Sequence, residues 1–477
     1  MQYQPVMNAV RWIWRLSGAK TVWTAHRFGK LQREWLRVAG RCRPLSSRLT
    51  RMRVVLIPCD PLLLTASRGD EAMLTTLIAA CRDMFIDPEF VIVTAGAGAD
   101  ALARRLGAQP CRALEQGLSL DHALKRILAL KITHCITLGA DVIDGSYDPV
   151  FSARLLALTD LLARSGVQSL VNGFSWSQHP SALLAAMFPK MSPKLTFNSR
   201  DPISQNRFID FTGVPAELTA DIAFLLKPES LLHEKVRPLA TWIAAQRKHR
   251  HQVIGFNIHP MLVDLEQRQA RLPALIAEFS AAVQEIIESE GVSVLLLEHD
   301  FRGVSADFNC LDRIEAHLRA RGCGAYVHRA SEPMNAAELK AVAGCLDGVA
   351  TGRMHLAIAA LGMGVPVLLF GYKGKMEGLL KHFSLDDRLL LTGADLLDRG
   401  RLIAQMRLFI GEVAGIERQI ERRLPVITEL ARKNLSSFEY QREVPKATRS
   451  HLASVPSPSP SPGLRRLVPG RSSLDLS

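Results

Sequence analysis

Arg353 and His355 are the residue pair in this chain whose types and spacing most favour chemistry. They stand within Asp347 to Lys375, DGVATGRMHLAIAALGMGVPVLLFGYKGK, where a β-leaning run, Gly348 to Ala350, leads into a helix carrying Leu356, Ala359, Ala360 and Met363 at helical spacing. Thr351 or Gly352 can cap that helix, Gly364 stops it, and Val365 to Phe370 reads as a covered parallel strand. In the first turn of a helix, free N–H groups and a partial positive charge already favour an anion. An arginine fork there can hold a carboxylate or phosphate at two points, and a histidine two residues on can exchange a proton near neutral pH. Surface capping of an ordinary helix fits the same two residues.

Other candidates sit where strands are expected to end. Arg200 follows the strand Lys194 to Asn198, so it can meet an anion or simply pair with Asp201. His259, His299, Asp300 and Arg302 fall at strand ends of the second half, and Lys373 or Lys375 can add positive charge. Asp70 and Glu71 open a helix, where their default role is electrostatic capping.

The elements that must position these residues alternate strand and helix. The first half offers strands at Arg53 to Ile57, Phe90 to Val93, Ile132 to Leu138, Gln168 to Asn172 and Lys194 to Asn198, with AELTADIAFLL as a short closing strand. The helices between them include Ser67 to Met84, Asp100 to Leu106, Leu118 to Leu130, Val150 to Arg164 and Gln205 to Thr212. In the second half, strands at Gln252 to Asn257, Val292 to Leu297, Ala325 to His328 and Leu389 to Leu391 flank the Arg353 segment, and Met261 to Glu290 reads as one long helix. Such alternation implies doubly wound parallel sheets, which bind ligands beyond the carboxyl ends of their strands. The expected organisation is an arm over 1–52, domains over 53–228 and 251–395 joined by a helix at 229–250, a basic helix over 396–437 packing across both halves, and a disordered Pro/Ser-rich tail over 438–477.

Composition narrows the function classes. With 477 residues, 48% hydrophobic and 22% charged, the chain is long enough for two or three globular domains. The absence of a long uncharged apolar run or a signal-like N-terminus points to a cytoplasmic protein. Its eight cysteines lack any CxxC pair and read as reduced thiols, and neither a metal nor a tightly bound cofactor is expected. The net charge of +13 is concentrated: residues 1–53 hold twelve Lys or Arg against Glu34 alone, along with Trp12, Trp14, Trp23 and Trp35. That arm fits peripheral contact with an anionic membrane, on the inner face, or a weakly ordered extension. Nucleic acid is not expected as a partner, since no recognised binding fold accompanies the charge.

Five segments taken together, SRGDEAML (67–74), NSRDPIS (198–204), TADIAFLL (219–226), LEHDFRG with Asp307, and TGRMHLAIAALGMGVPVLLFGYKGK (351–375), resemble the polysaccharide pyruvyl transferase family in order and spacing over about 70% of the chain. The resemblance implies an α/β fold of two Rossmann-like domains facing across a cleft, as in GT-B enzymes. It further implies phosphoenolpyruvate as donor and a glycan or lipid-linked saccharide as acceptor, ending as a pyruvate ketal. Arg353 and His355 match the family's R-L-H motif as the catalytic pair, the arginine clamping the donor and the histidine protonating its methylene carbon. Arg200 matches the arginine of the family's R-D-x-x-S segment, and His299, Asp70 and Lys375 complete the candidate substrate-binding set. Met354 replaces the family's leucine, and GADVIDG at 139–145 holds fewer glycines than relatives, which weakens any anion contact by that loop. Two other classes share the architecture: a GT-B glycosyltransferase using a nucleotide sugar, with Glu377 the nearest acid for a ribose, and a non-catalytic glycan-binding scaffold.

Overall fold

Runs of buried branched residues set the frame: Val54 to Ile57 in the first half and Val253, Ile254 and Phe256 in the second are fully covered. Continuous burial of that kind is expected of parallel strands with helices on both faces. The computed structural model describes residues 19–44, 51–249, 251–371 and 374–441. Residues to Ser437 form one unit, to which both sheets belong, and a second unit runs from Phe438.

In chain order the first half contains α1 (Ala19–Ala39), β1 (Arg53–Ile57), α2 (Arg68–Met84), β2 (Glu89–Val93), α3 (Ala97–Arg105), β3 (Gln109–Cys111), α4 (Leu120–Leu128), β4 (His134–Ala140), α5 (Pro149–Arg164), β5 (Gln168–Phe174), β6 (Leu195–Ser199), α6 (Pro202–Thr212) and β7 (Glu217–Leu218). The second contains α7 (Val236–Lys248), β8 (Val253–Asn257), α8 (Arg268–Glu290), β9 (Ser293–Leu296), α9 (Phe308–Ala320), β10 (Val327–Arg329), α10 (Ala336–Ala343), β11 (Gly348–Thr351), α11 (Met354–Leu361), β12 (Val367–Gly371), α12 (Glu377–Phe383), β13 (Leu390–Thr392) and α13 (Arg399–Arg432). The sheets run β3-β2-β1-β4-β5-β6-β7 and β10-β9-β8-β11-β12-β13, with every pairing parallel. In each sheet the order reverses beside the first strand, between β1 and β4 and between β8 and β11. Crevices form at such switch points.

Side-chain caps explain where the structure departs from the sequence reading. AELTADIAFLL is not one strand: after the two-residue β7, Asp221 accepts the Ala223 N–H at 3.0 Å and opens a tight turn over Ile222–Leu225. The long helix expected from Met261 begins at Arg268, because His259 Nδ1 accepts the Met261 N–H and closes a separate turn at Pro260–Leu262. The connecting helix shortens to Val236–Lys248, and Arg250 lies outside the described residues.

The described part of the segment expected to be a separate N-terminal arm packs against the first domain instead. Helix α1 buries Phe28, Leu31, Trp35 and Val38 at three- and four-residue spacing, and these side chains join the hydrophobic core of the first half. Trp35 donates its indole N–H to Asp160 at 2.8 Å on α5, so this tryptophan holds the helix to the domain instead of facing a membrane. Trp12 and Trp14 lie outside the described residues, as do residues 442–477 of the expected tail. At the other end, α13 spans both halves. Arg399 and Arg407 pair with Glu278 and Glu285 of α8, while Asn434 just beyond the helix donates to Ala220 O at 2.7 Å and accepts from Asn198.

Candidate active site

The C-terminal ends of both sheets face one another across a cleft of about 420 Å³. From the first half it is lined by Cys59 and Asp60 after β1, Asp70 at the start of α2, Asp141 and Tyr147 after β4, and Arg200 after β6. From the second half come His299, Asp300 and Arg302 after β9, Arg353 and His355 at the start of α11, and Lys375 after β12. All six site residues named from the sequence, Asp70, Arg200, His299, Arg353, His355 and Lys375, therefore line one cavity. The two walls touch directly: the Arg68 N–H donates to His299 O, the Phe301 N–H to Ala66 O, and Ser67 bridges Asp300.

What the sequence reading missed is the carboxylate attached to each cation. Arg353 is buried and its fork is already engaged, with Nε and one terminal nitrogen donating to Asp307 Oδ1 at 2.9 and 2.6 Å and the latter also to Ser305 O at 2.6 Å. Its other terminal nitrogen lies 3.3 Å from Asp300. A free clamp for a donor carboxylate is thus not what the arrangement presents. Arg353 instead anchors the loop that ends β9, because Asp307 also accepts from Asn257 and from the His299 and Asp300 N–H groups. Arg200 donates to Ser175 and to Asp221 at 3.0 Å, Lys375 to Asp141 O at 2.8 Å, and Arg302 sits against Asp300, Asp60 and Asp70.

These pairings set the protonation states. Burial opposes ionisation of Asp221 and Asp141, yet His355 with Arg200 at the first, and Lys375 with Arg200 at the second, hold both carboxyls well below the usual carboxylate range. Asp70 goes the other way. Burial pushes it up to about 6 despite Arg302, and Cys59 donates its thiol to Oδ1 at 3.2 Å. His299 and His259 are both buried and pushed well below their ordinary value, first by desolvation and then by neighbouring cations, so both rings are neutral. His259 spends its two nitrogens on Met261 N–H and Gly352 O and plays a structural part.

His355 is held on three sides. Nε2 faces Asp221 Oδ2 at 3.3 Å, off the line of a straight hydrogen bond, and the ring lies parallel to His299 with centroids 6.3 Å apart. Behind it is Gly69, where an added Cβ would come within 2.3 Å of Nδ1. Asp221 was legible only as part of a motif, and its role became visible once the short turn after β7 placed it under His355. At the start of the 139–145 segment, Ala140 adopts φ +41° on the cleft wall, where a glycine would be at ease. Glu377 is committed elsewhere, pairing with Arg207 at 2.8 Å across the two halves.

The polysaccharide pyruvyl transferase family model matches residues 68–374, from the start of α2 to the loop after β12. The chain belongs to this family. The match takes in every cleft residue named above except Cys59, Asp60 and Lys375. No curated protein matches the chain of this pyruvyl transferase family member. Among solved structures, it is similar to a protein described as a UDP-N-acetylglucosamine 2-epimerase from Listeria monocytogenes, at TM-score 0.55 and 14% identity over 83% of this chain and 97% of that one. It is also similar to UDP-GlcNAc 2-epimerase from Neisseria meningitidis bound to UDP-GlcNAc, at TM-score 0.53 and 11% identity over 81% and 99%. A third likeness is to the S. aureus MnaA–UDP structure, at TM-score 0.51 and 9% identity over 82% and 96%. At these identities the likeness establishes the fold, two Rossmann-like domains of the GT-B kind, and the pyruvyl transferase family membership stands on the sequence match.

Proposed function

We propose that this family member moves the pyruvyl group of phosphoenolpyruvate onto two hydroxyls of a sugar in a glycan or lipid-linked saccharide, releasing phosphate and leaving a pyruvate ketal. The observation that carries this reading is the convergence of Arg200, Arg302, Arg353, Lys375 and His355 on one cleft in a chain of this family. A donor bearing a carboxylate and a phosphate needs several fixed cations. Here the three arginines are oriented beforehand by buried carboxylates and Lys375 by Asp141, which lowers the reorganisation needed when the donor binds.

In the proposed sequence, His355, steadied by Asp221, gives a proton to the methylene carbon, and C2 becomes electrophilic. The first sugar hydroxyl forms a C–O bond to C2 and passes its proton to Asp70, whose carboxyl exchanges protons near neutral pH. The C2–O bond to phosphorus-bound oxygen then breaks, its electron pair leaving with phosphate. The second hydroxyl closes the ketal and returns a proton to His355, while the proton on Asp70 leaves to solvent. Neither a metal nor another cofactor enters this scheme.

The test is phosphate release from phosphoenolpyruvate in the presence of a cell-derived glycan fraction. His355→Ala should lower turnover by about 10² to 10⁴ while largely sparing donor binding. Normal turnover in that variant would remove His355 from the chemistry. A nucleotide-sugar reading gains nothing from Glu377, whose carboxylate is taken by Arg207.

A further inference from the structure

Helix α1 turns two unlike faces outward and inward. Its inner face packs Phe28, Leu31, Trp35 and Val38 into the first domain. Opposite that face, Lys30, Arg33, Arg37 and, in the turn that ends the helix, Arg41 recur at three- and four-residue intervals, and all are exposed. That spacing places them on one stripe. Among the described residues these four form no ion pair within 4.0 Å, and the single acid of the helix, Glu34, is turned away to accept the Leu120 N–H at 2.7 Å. Arg37 acts electrostatically on Asp121 of α4, which is itself paired with Lys125. Towards the N-terminal end the stripe continues into apolar surface: Val22 is 71% exposed and Trp23 47%, with Arg27 stacked on the indole at 4.4 Å.

We infer that this outward face of α1 is a docking surface for an anionic lipid bilayer, with the cation stripe lying along the headgroups and Trp23 and Val22 seated at the interface. A stripe of unpaired cations is complementary to an anionic surface. An aromatic and an aliphatic side chain at one end distinguish a bilayer, with an apolar interior to offer, from a uniformly charged polymer. No helix among the described residues is long and apolar enough to cross a membrane, so the contact is peripheral. The inference does not depend on the reading of the cleft, which lies on other elements.

The experiment is co-sedimentation of the full chain with vesicles of phosphatidylcholine alone and with about 30% phosphatidylglycerol, at low salt and at about 1 M salt. Binding to the anionic vesicles only, abolished by salt, is the expected result. Each basic residue near such a surface is worth about fivefold in partitioning, so Arg33→Glu with Arg37→Glu should weaken binding at least about 25-fold, and Trp23→Ala should weaken it without changing its salt dependence. Both variants alter exposed side chains, and an unchanged thermal midpoint checks that each is folded. Equal partitioning onto neutral vesicles, no partitioning at all, or undiminished binding in the double variant would overturn the inference. So would duplex DNA displacing the protein from anionic vesicles at equal charge, which would make the stripe a polyanion site.

Discussion

Replacing Asp70 by Asn isolates a cleft carboxyl whose ionisation burial disfavours more than its neighbours favour it. Its folded pKa is about 6 against an ordinary 3.8, so the native state holds the proton more tightly than the unfolded chain does. The sign follows directly: stability contributed by this group is fully present at low pH and is lost as pH rises through about 6. Across that shift the loss amounts to about 3 kcal/mol by about pH 8, roughly half of which is already lost at about pH 5. Asparagine mimics the protonated carboxyl, can still meet Cys59, and leaves Arg302 its pairing with Asp300 and Asp60. The variant should therefore be more stable than wild type. With an unfolding entropy of about 1 kcal/mol per degree for a chain of this size, its thermal midpoint should lie about 3 °C higher at about pH 8 and about half that at about pH 5. Scanning calorimetry of both proteins at the two pH values measures the difference. A gap that does not change with pH, or a less stable variant at the higher pH, would refute the assignment of a raised carboxyl. If Asp70 takes the hydroxyl proton, the same variant trades that stability for lost turnover, as strained functional groups generally do.

Other expectations follow from single contacts. Gly69→Ala puts a methyl within 2.3 Å of His355 Nδ1, so the ring must shift by about 1 Å; phosphate release should fall about 10²-fold while the folded state survives. Arg353→Ala removes the partner of buried Asp307 and should cost about 3–5 kcal/mol by denaturant unfolding, so any loss of donor binding has to be read beside that loss of fold. Trp35→Ala should lower stability by about 3–5 kcal/mol, by the same measurement, because α1 would lose its largest core side chain. Ala140→Gly relieves a left-handed alanine and should raise the thermal midpoint slightly, by the equivalent of about 1 kcal/mol.

The sheets were legible because covered parallel strands such as Val54 to Ile57 and Val367 to Phe370 carry their signal locally, as short apolar runs between turn residues. Element ends were less so. Asp221 and His259 each terminate a regular element with a side-chain acceptor, and capping competes with strand or helix over only one or two residues. The outer face of α1 overwhelmed its inner one: the excess of arginine read as an arm, whereas Phe28, Leu31, Trp35 and Val38 belong to the core. In the cleft, residue type together with position at strand and helix ends picked out Arg200, Arg353, His355 and Lys375. That Asp221, Asp307, Asp300 and Asp141 are their partners was not legible, since pairing across as many as 234 residues is decided by tertiary placement. Arg353 changed meaning for that reason, from a free fork to a buried anchor.

Donor binding to wild-type protein bears most directly on the proposed function. The thermal midpoint is recorded with phosphoenolpyruvate and, separately, with UDP and UDP-N-acetylglucosamine. At about 100 times its dissociation constant a ligand adds about 2.7 kcal/mol, a rise of about 3 °C here. That rise is expected with phosphoenolpyruvate and with neither nucleotide. A rise with UDP-N-acetylglucosamine and none with phosphoenolpyruvate would contradict the proposed function.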